Sequence, residues 1–77
     1  MAVYDFRGET KQRPNGRWYA EIIMGDWSVW TSPDVDTEPE AETVCVGTIE
    51  NLVADLERDN PDAVTERWFD GHKVDKA

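Results

Sequence analysis

The sequence predicts an α+β domain in which a three-stranded antiparallel sheet packs on one long helix, with a short helix at the C-terminal end. Three observations favour this fold class. Residues 13–31 have the pattern of two strands around a Gly25-Asp26 turn, since glycine reaches positive φ without strain. Residues 37–56 repeat apolar side chains every three or four positions, as one side of a helix does. Residues 60–71 begin with a capping asparagine and end with a glycine.

The first strand is predicted over residues 3–13, followed by a Pro-Asn-Gly turn at residues 14–16. A three-residue loop with Gly16 in the left-handed region sets Gln12 opposite Trp18. A two-residue Asn-Gly loop would shift the register by one residue and turn charged side chains toward the core. We favour the three-residue loop, because burying an unpaired charge is costly.

The second and third strands are predicted to pair so that alternate side chains share a face. The predicted core face holds Trp18 and three cross-strand pairs: Met24 with Trp27, Ile22 with Val29, and Ala20 with Thr31. The outer face holds Tyr19, Glu21, Ile23, Ser28 and Trp30. So much aromatic and aliphatic surface is unusual for a face that meets only water. We therefore interpret this outer face as the candidate binding face.

A helix of about twenty residues is predicted to begin after Thr37, which can cap it together with Glu40 three residues later. Pro39 is tolerated in the first helical turn. The apolar stripe that faces the sheet contains Ala41, Val44, Cys45, Thr48, Ile49, Leu52, Val53 and Leu56. We interpret Gly47 as marking a close approach to the sheet. Cys45 lies within the stripe, which predicts a buried structural residue and not a nucleophile.

The C-terminal part is predicted to contain a second, short helix over residues 61–69, capped by Asn60. Trp68 and Phe69 would close the open end of the core, or alternatively would contact a partner or a second copy. A single domain is predicted to span residues 1–71, and residues 72–77 are predicted to form a flexible tail.

The composition restricts the function. The 77 residues are enough for one small domain, and one cysteine and one histidine predict neither an internal disulfide nor a zinc site. We expect no cofactor, and the absence of a phosphate loop or a nucleophile-base pattern predicts that the protein is not an enzyme. No signal peptide is recognisable, and no apolar run approaches the roughly 20 residues of a membrane span. We expect a cytoplasmic monomer or homodimer without membrane contact.

The net charge of −9 is unevenly distributed. Residues 1–17 have a local charge of +2, because two acidic residues accompany the four basic residues Arg7, Lys11, Arg13 and Arg17. This segment is either a solvated strand face or a basic contact surface. The long helix, in contrast, brings a predicted acidic face of Glu38, Glu40, Glu42, Glu50, Asp55 and Glu57. That acidity is compatible with imitation of a phosphate backbone, with solubility or with adaptation to high salt.

The run F-R-G-E-T-K-Q-R-P-N-G-R-W-Y-A-E-I, followed by V-W-T and T-E-P-E-A, resembles the plant ethylene-response-factor DNA-binding domain and the arm-binding domains of phage tyrosine integrases. The resemblance covers about residues 6–53 and implies a three-stranded sheet whose open face enters the DNA major groove. The DNA-facing positions would fall on Arg7, Lys11, Arg13, Arg17, Glu21, Ile23 and Trp30. Ile23, however, stands where the plant domains ordinarily have a base-reading arginine, and Asn15 where they have a tryptophan. The group that reads guanine is therefore missing.

Three functions are compatible with the sequence. The first is a small protein-binding module, such as a phage or mobile-element inhibitor of a nucleic-acid-handling complex, of the anti-CRISPR kind. It would contact its partner through the outer sheet face or the acidic helix. The predicted partner-binding residues are Arg7, Lys11, Arg13, Arg17, Tyr19, Glu21, Ile23 and Trp30. The second function is sequence-specific DNA binding through the basic first two strands, and the third is an antitoxin-like or scaffold subunit.

Overall fold

A computed structural model describes residues 3–74, which form one helix and a five-stranded mixed sheet. The elements in chain order are β1 (Val3–Gln12), β2 (Trp18–Met24), β3 (Trp27–Thr31), α1 (Glu38–Asp59), β4 (Val64–Phe69) and β5 (His72–Val74). The strand order across the sheet is β3-β2-β1-β4-β5. β1 and β4 are parallel, and the other neighbouring strands are antiparallel. The predicted α+β class is confirmed, but the predicted three-stranded antiparallel sheet is wrong.

The first hairpin has the predicted register. Gln12 lies opposite Trp18, and the Arg13 amide donates to the Arg17 carbonyl at 2.7 Å. Gly16 has a φ of +90°, the left-handed conformation that the three-residue loop requires. This register turns Phe6 toward α1 and keeps Lys11 on the opposite face, so the strand's charges stay out of the core.

The second hairpin differs from the prediction after its first pair. Met24 lies opposite Trp27 as predicted, but a bulge then shifts the register so that Trp30, not Val29, lies opposite the buried Ile22. Val29 remains 47% exposed, and Trp30 packs against the core. A bulge adds one residue to one strand and thereby reverses the alternation of the residues that follow it. The predicted Ile22–Val29 and Ala20–Thr31 pairs and the predicted outward position of Trp30 are therefore wrong.

The long helix begins and ends at the predicted signals. The Thr37 hydroxyl accepts from the Glu40 amide at 3.4 Å, and the Asn60 amide donates to the Leu56 carbonyl at 2.8 Å. Most of the predicted apolar stripe is confirmed, and its buried members are Ala41, Cys45, Ile49 and Val53. Val44, which was also predicted to face the sheet, is 38% exposed and points away from it. Together with side chains from the first two strands they form the core: Phe6, Ala20 and Ile22.

The helix and the sheet approach each other closely at Gly8 of β1. A Cβ atom at Gly8 would lie 2.5 Å from the Cys45 Sγ and 3.0 Å from the Ile49 Cδ1. A Cβ at Gly47 would meet nothing within 4 Å, so the predicted close approach at Gly47 is wrong. The glycine that lets the two layers meet is on the strand and not on the helix.

The C-terminal part forms strands where a helix was predicted. β4 lies beside β1 in parallel register, with Phe69 opposite Gly8, and β5 then pairs back on β4. Asp70 and Gly71 both have positive φ, 47° and 84°, as a two-residue type I′ hairpin turn requires. The Asp70 carboxylate accepts from the Thr10 amide at 3.2 Å and ties this turn to β1.

Two factors explain why residues 64–69 form a strand and not a helix: their high strand propensity and the unpaired edge of β1 beside them. The segment V-T-E-R-W-F is rich in β-branched and aromatic residues, which fit a half-buried sheet. A helix this short gains little stability from its own hydrogen bonds, whereas β1 offers an unpaired edge. His72–Val74 form β5 where a tail was predicted, and residues 75–77 of that predicted tail lie outside the described residues.

Candidate functional site

Within residues 3–74 one face of the sheet is left uncovered, because a single helix about 10 Å wide cannot span five strands and lies entirely on the other face. Strand register assigns the outward side chains to this surface, which we call the open face. Its members are Val3, Asp5, Arg7, Glu9 and Lys11 of β1, Tyr19, Glu21 and Ile23 of β2, Ser28 and Thr31 of β3, Val64, Glu66 and Trp68 of β4, and Lys73 of β5.

The middle of the open face combines apolar groups with an arginine. Ile23 and Trp68 lie on either side of Arg7 in the same cross-strand row, and both are partly buried. The Arg7 guanidinium donates to the Gly25 carbonyl in the β2–β3 turn. The result is an aliphatic and an aromatic side chain separated by one strand, with an anchored cation between them.

The end of the open face near the first hairpin carries an aromatic ring with a cation stacked on it. Tyr19 lies opposite Lys11, and the Arg13 guanidinium carbon lies 4.3 Å from the centre of the Tyr19 ring. The Arg13 Nε also lies 2.7 Å from the Asp34 Oδ1, and this hydrogen bond raises the pKa of Arg13. Such stacking holds the ring in one orientation and keeps its edge accessible.

The other basic side chains near this surface also have partners within the chain. The Lys11 Nζ lies 2.8 Å from the Glu21 Oε1, which raises the pKa of Lys11 and, from the other side, lowers the pKa of Glu21. Arg17 donates to the Asp34 carbonyl at 3.1 Å and lies 3.6 Å from the Asp36 carboxylate. The basic cluster predicted from the sequence is thus balanced by acidic residues of the same molecule.

The structure brings most of the predicted partner-binding residues together. Five of them share the open face: Arg7, Lys11, Tyr19, Glu21 and Ile23. Arg13 joins them through its stacking on Tyr19, whereas Arg17 precedes β2 and turns toward the loop after β3. Trp30 lies on the other face of the sheet, against the core.

Sequence reasoning missed Trp68 as a member of this surface. The signal that could have found it is the alternation within V-T-E-R-W-F. Thr65, Arg67 and Phe69 turn toward the helix, and the residues between them turn outward. Arg67 is 7% exposed, and its Nε lies 2.5 Å from the Glu50 Oε1 of α1. The sequence did not indicate this ion pair, because Arg67 was predicted to lie on a short helix and not on a strand beneath α1.

The acidic residues of α1 do not line one side of the helix. At about 100° per residue they are spread around its axis: Glu38, Glu40, Glu42, Glu50, Asp55 and Glu57. Glu50 pairs with Arg67, and Glu57 accepts from the Thr65 hydroxyl at 3.4 Å. The ridge that points away from the sheet combines two charged residues, Glu40 and Arg58, with small or uncharged ones, namely Thr43, Val44, Gly47, Asn51 and Ala54.

Reactive groups are few in the part of the chain that the structure describes. Residues 3–74 contain no group of three or more His, Cys, Asp or Glu side chains that could hold a metal ion. Cys45 is fully buried, and this burial raises the pKa of its thiol to about 11. A neutral, buried thiol is a poor nucleophile. Among the described residues, no helix is both long and apolar enough to cross a membrane.

Comparisons with protein-family models, with curated proteins and with solved structures found no match to this chain. The functional interpretation therefore rests on the geometry and chemistry of the open face.

Proposed function

We propose that this chain is a small, non-enzymatic protein-binding module and that the open face is its contact surface. The observation that carries the proposal is the uncovered side of a five-stranded sheet, on which Ile23 and Trp68 flank Arg7 and Tyr19 lies further along the same face, opposite Lys11. Tyrosine, tryptophan and arginine are the residues most enriched at the energetic centres of protein interfaces. A rigid sheet also presents them with little loss of conformational entropy on binding.

The charge of the molecule favours a basic target. The chain carries −9 overall, so its field attracts a positively charged partner and accelerates the encounter. Proteins that handle nucleic acids present basic surfaces of this kind. We therefore propose that the module inhibits a nucleic-acid-handling complex, as phage or mobile-element inhibitors of the anti-CRISPR kind do.

Direct DNA binding is the weaker candidate. In its favour, β1, β2 and β3 form an antiparallel meander beside a helix, the arrangement that the plant domains lay into the major groove. Against it, three of the four basic residues of the first hairpin, Lys11, Arg13 and Arg17, are paired with carboxylates. Releasing them to phosphates would break these pairs, and the acidic body repels DNA at long range.

The third candidate function, an antitoxin-like or scaffold subunit, also receives less support. The sequence interpretation placed Trp68 and Phe69 together in one contact with a partner or a second copy. Trp68 and Phe69 turn to opposite faces of the sheet, so they do not form one dimer contact. Only Trp68 belongs to the open face.

The test is a pull-down from a lysate of the source cells with the tagged protein, in which nuclease is added to half of each sample. The wild type is compared with a Tyr19→Ala, Ile23→Ala, Trp68→Ala variant and with a Trp27→Ala control, which removes an indole that is 77% exposed outside the open face. Circular dichroism confirms that each variant is folded. We expect a nucleic-acid-handling protein that is retained after nuclease, kept by the control and lost by the triple variant. Retention of nucleic acid alone would favour DNA binding.

A further inference from the structure

We propose that the open face binds a second copy of this chain, with the two sheets stacked face to face about a two-fold axis that crosses β1 at Gly8. This inference rests on the proposed function only in taking the open face as a protein contact. It names one occupant of that face, and it leaves the two helices on the outside of a four-layer assembly.

The order of charges along β1 is the first argument. β1 is the central strand, and its outward side chains alternate in sign along the strand: Asp5, Arg7, Glu9 and Lys11. An antiparallel stack centred on Gly8 places Asp5 over Lys11 of the second copy and Arg7 over Glu9 of the second copy. A stack with parallel strands would place every charge over its like. The alternation therefore selects the antiparallel arrangement, and a two-fold axis repeats each favourable pair.

The balance of charge on the open face is the second argument. The open face is nearly neutral, because its four acidic residues, Asp5, Glu9, Glu21 and Glu66, are accompanied by three basic ones, Arg7, Lys11 and Lys73. The chain as a whole carries −9 and the open face −1, so the rest of the molecule holds −8 of the excess negative charge. Two copies repel one another through this excess charge, and the repulsion is small at the nearly neutral open face.

The size of the face is the third argument. The five strands contain 10, 7, 5, 6 and 3 residues, so at about 3.3 Å per residue and about 4.8 Å between strands the open face has a footprint of roughly 500 Å². A stacked pair would bury up to about 1,000 Å² in total, which is the lower limit of a specific interface and the size of a weak dimer. Sheets packed face to face lie about 10 Å apart, so Ile23, which is level with Arg7 and close to the axis, would be covered as well.

The inference is tested by sedimentation equilibrium of the wild type from about 1 μM to about 1 mM, a range that spans weak and moderate dimers. Two charge variants are made: Arg7→Glu with Lys11→Glu, and Asp5→Lys with Glu9→Lys. We expect a dimer of twice the 8.8 kDa chain mass for the wild type and at least about 100-fold weaker self-association for either variant. An equimolar mixture of the two variants should restore the dimer.

A matched control is Glu38→Lys with Glu42→Lys, which changes the net charge as much as Asp5→Lys with Glu9→Lys but lies on α1. This control should keep the wild-type dimer. If the wild type stays monomeric throughout the range, the open face does not bind a second copy and this inference is wrong. That result does not affect the proposed function, which the pull-down tests separately. Equal dimerisation of the control and both open-face variants would overturn the assigned surface.

Carbodiimide cross-linking of the wild type provides a test that does not depend on variants folding. Chains with ordinary nitrogen and chains labelled with heavy nitrogen are mixed before the reaction, so that links between two copies are recognised by mass. We expect Lys11 to be linked to Asp5 of the other copy. Lys11 links confined to Glu9 and Glu21 of its own copy, its neighbours in the sheet, would contradict the antiparallel stack.

Discussion

Gly8 is the residue on which the contact between the two layers depends. A Cβ atom there would lie 2.5 Å from the Cys45 Sγ, 3.0 Å from the Ile49 Cδ1 and 3.1 Å from the Phe69 Cδ1. Gly8→Ala should therefore lower the free energy of unfolding by about 1–3 kcal/mol, because the core must shift to admit a methyl group. Urea unfolding followed by tryptophan fluorescence measures the change.

Gly47→Ala is the matched control, since the same substitution is made where nothing lies within 4 Å. It should raise the free energy of unfolding by about 1 kcal/mol, because alanine loses less backbone entropy than glycine in a helix. A stabilising Gly8→Ala or a destabilising Gly47→Ala would contradict the placement of α1 on β1.

Cys45 provides a prediction about pH. Burial raises the pKa of its thiol from the ordinary value of 9.0 to about 11. As the pH rises through this window, the unfolded chain loses the thiol proton before the folded chain does. The Cys45 contribution should therefore lower the free energy of unfolding between these two values, and not below them. A Cys45→Ala variant, compared with the wild type by urea unfolding across the window, isolates this contribution.

The same burial predicts slow chemistry at Cys45. Alkylation by iodoacetamide at about pH 8 should be at least about 100-fold slower in the folded protein than in urea, because the thiol must wait for the core to open. Equal labelling rates in the two conditions would show that the helix and the sheet do not enclose Cys45.

At the scale of elements, the bulge in β3 decides which tryptophan of that strand is buried. Trp30 packs against the core, whereas Trp27 is 77% exposed. Trp30→Ala should lower the free energy of unfolding by about 2 kcal/mol or more, and Trp27→Ala should change it by less than about 0.5 kcal/mol. Thermal or urea unfolding of the two variants makes the comparison within one strand. The reverse order of the two losses would mean that β3 pairs with β2 without the bulge.

The elements that could be predicted from the sequence are those with local signals. α1 has a cap at Thr37 and a periodic apolar stripe. The β1–β2 and β2–β3 hairpins each have a glycine at the turn. The same alternation correctly placed Tyr19, Glu21 and Ile23 on the side away from the core. Each of these features depends on residues a few positions apart.

The elements that were not predicted depend on distant partners. β4 pairs with β1 across some sixty residues of chain, and a parallel pair has no connecting turn that could mark it. The Asp70-Gly71 turn was interpreted as the end of a helix, because glycine is typical of both positions. For this reason Trp68 was missed at the open face. Trp30 was assigned to the wrong face because strict alternation of side chains does not predict where a bulge adds a residue.

At the scale of the whole molecule, the distribution of charge makes stability depend on salt. The chain carries −9 within a radius of gyration of 12.9 Å, so most of its acidic groups lie within reach of one another at low ionic strength. The Debye length falls from about 10 Å at 0.1 M salt to about 3 Å at 1 M salt, which screens this repulsion in the folded state. Surface ion pairs are screened too, but each contributes little.

We therefore expect the free energy of unfolding to rise by on the order of 1 kcal/mol between 0.1 M and 1 M sodium chloride. Urea unfolding at a chain concentration of about 1 μM measures this free energy under conditions in which weak self-association is negligible.

A Glu38→Gln, Glu42→Gln variant is the control for this prediction. It removes two of the acidic charges at the start of α1, so its stability should respond less to salt than that of the wild type. An equal response of the two proteins would assign the effect to apolar burial, because salt also strengthens that term. A loss of stability with salt would instead mean that the ion pairs around Glu21, Asp34 and Glu50 outweigh the repulsion between the remaining acidic groups.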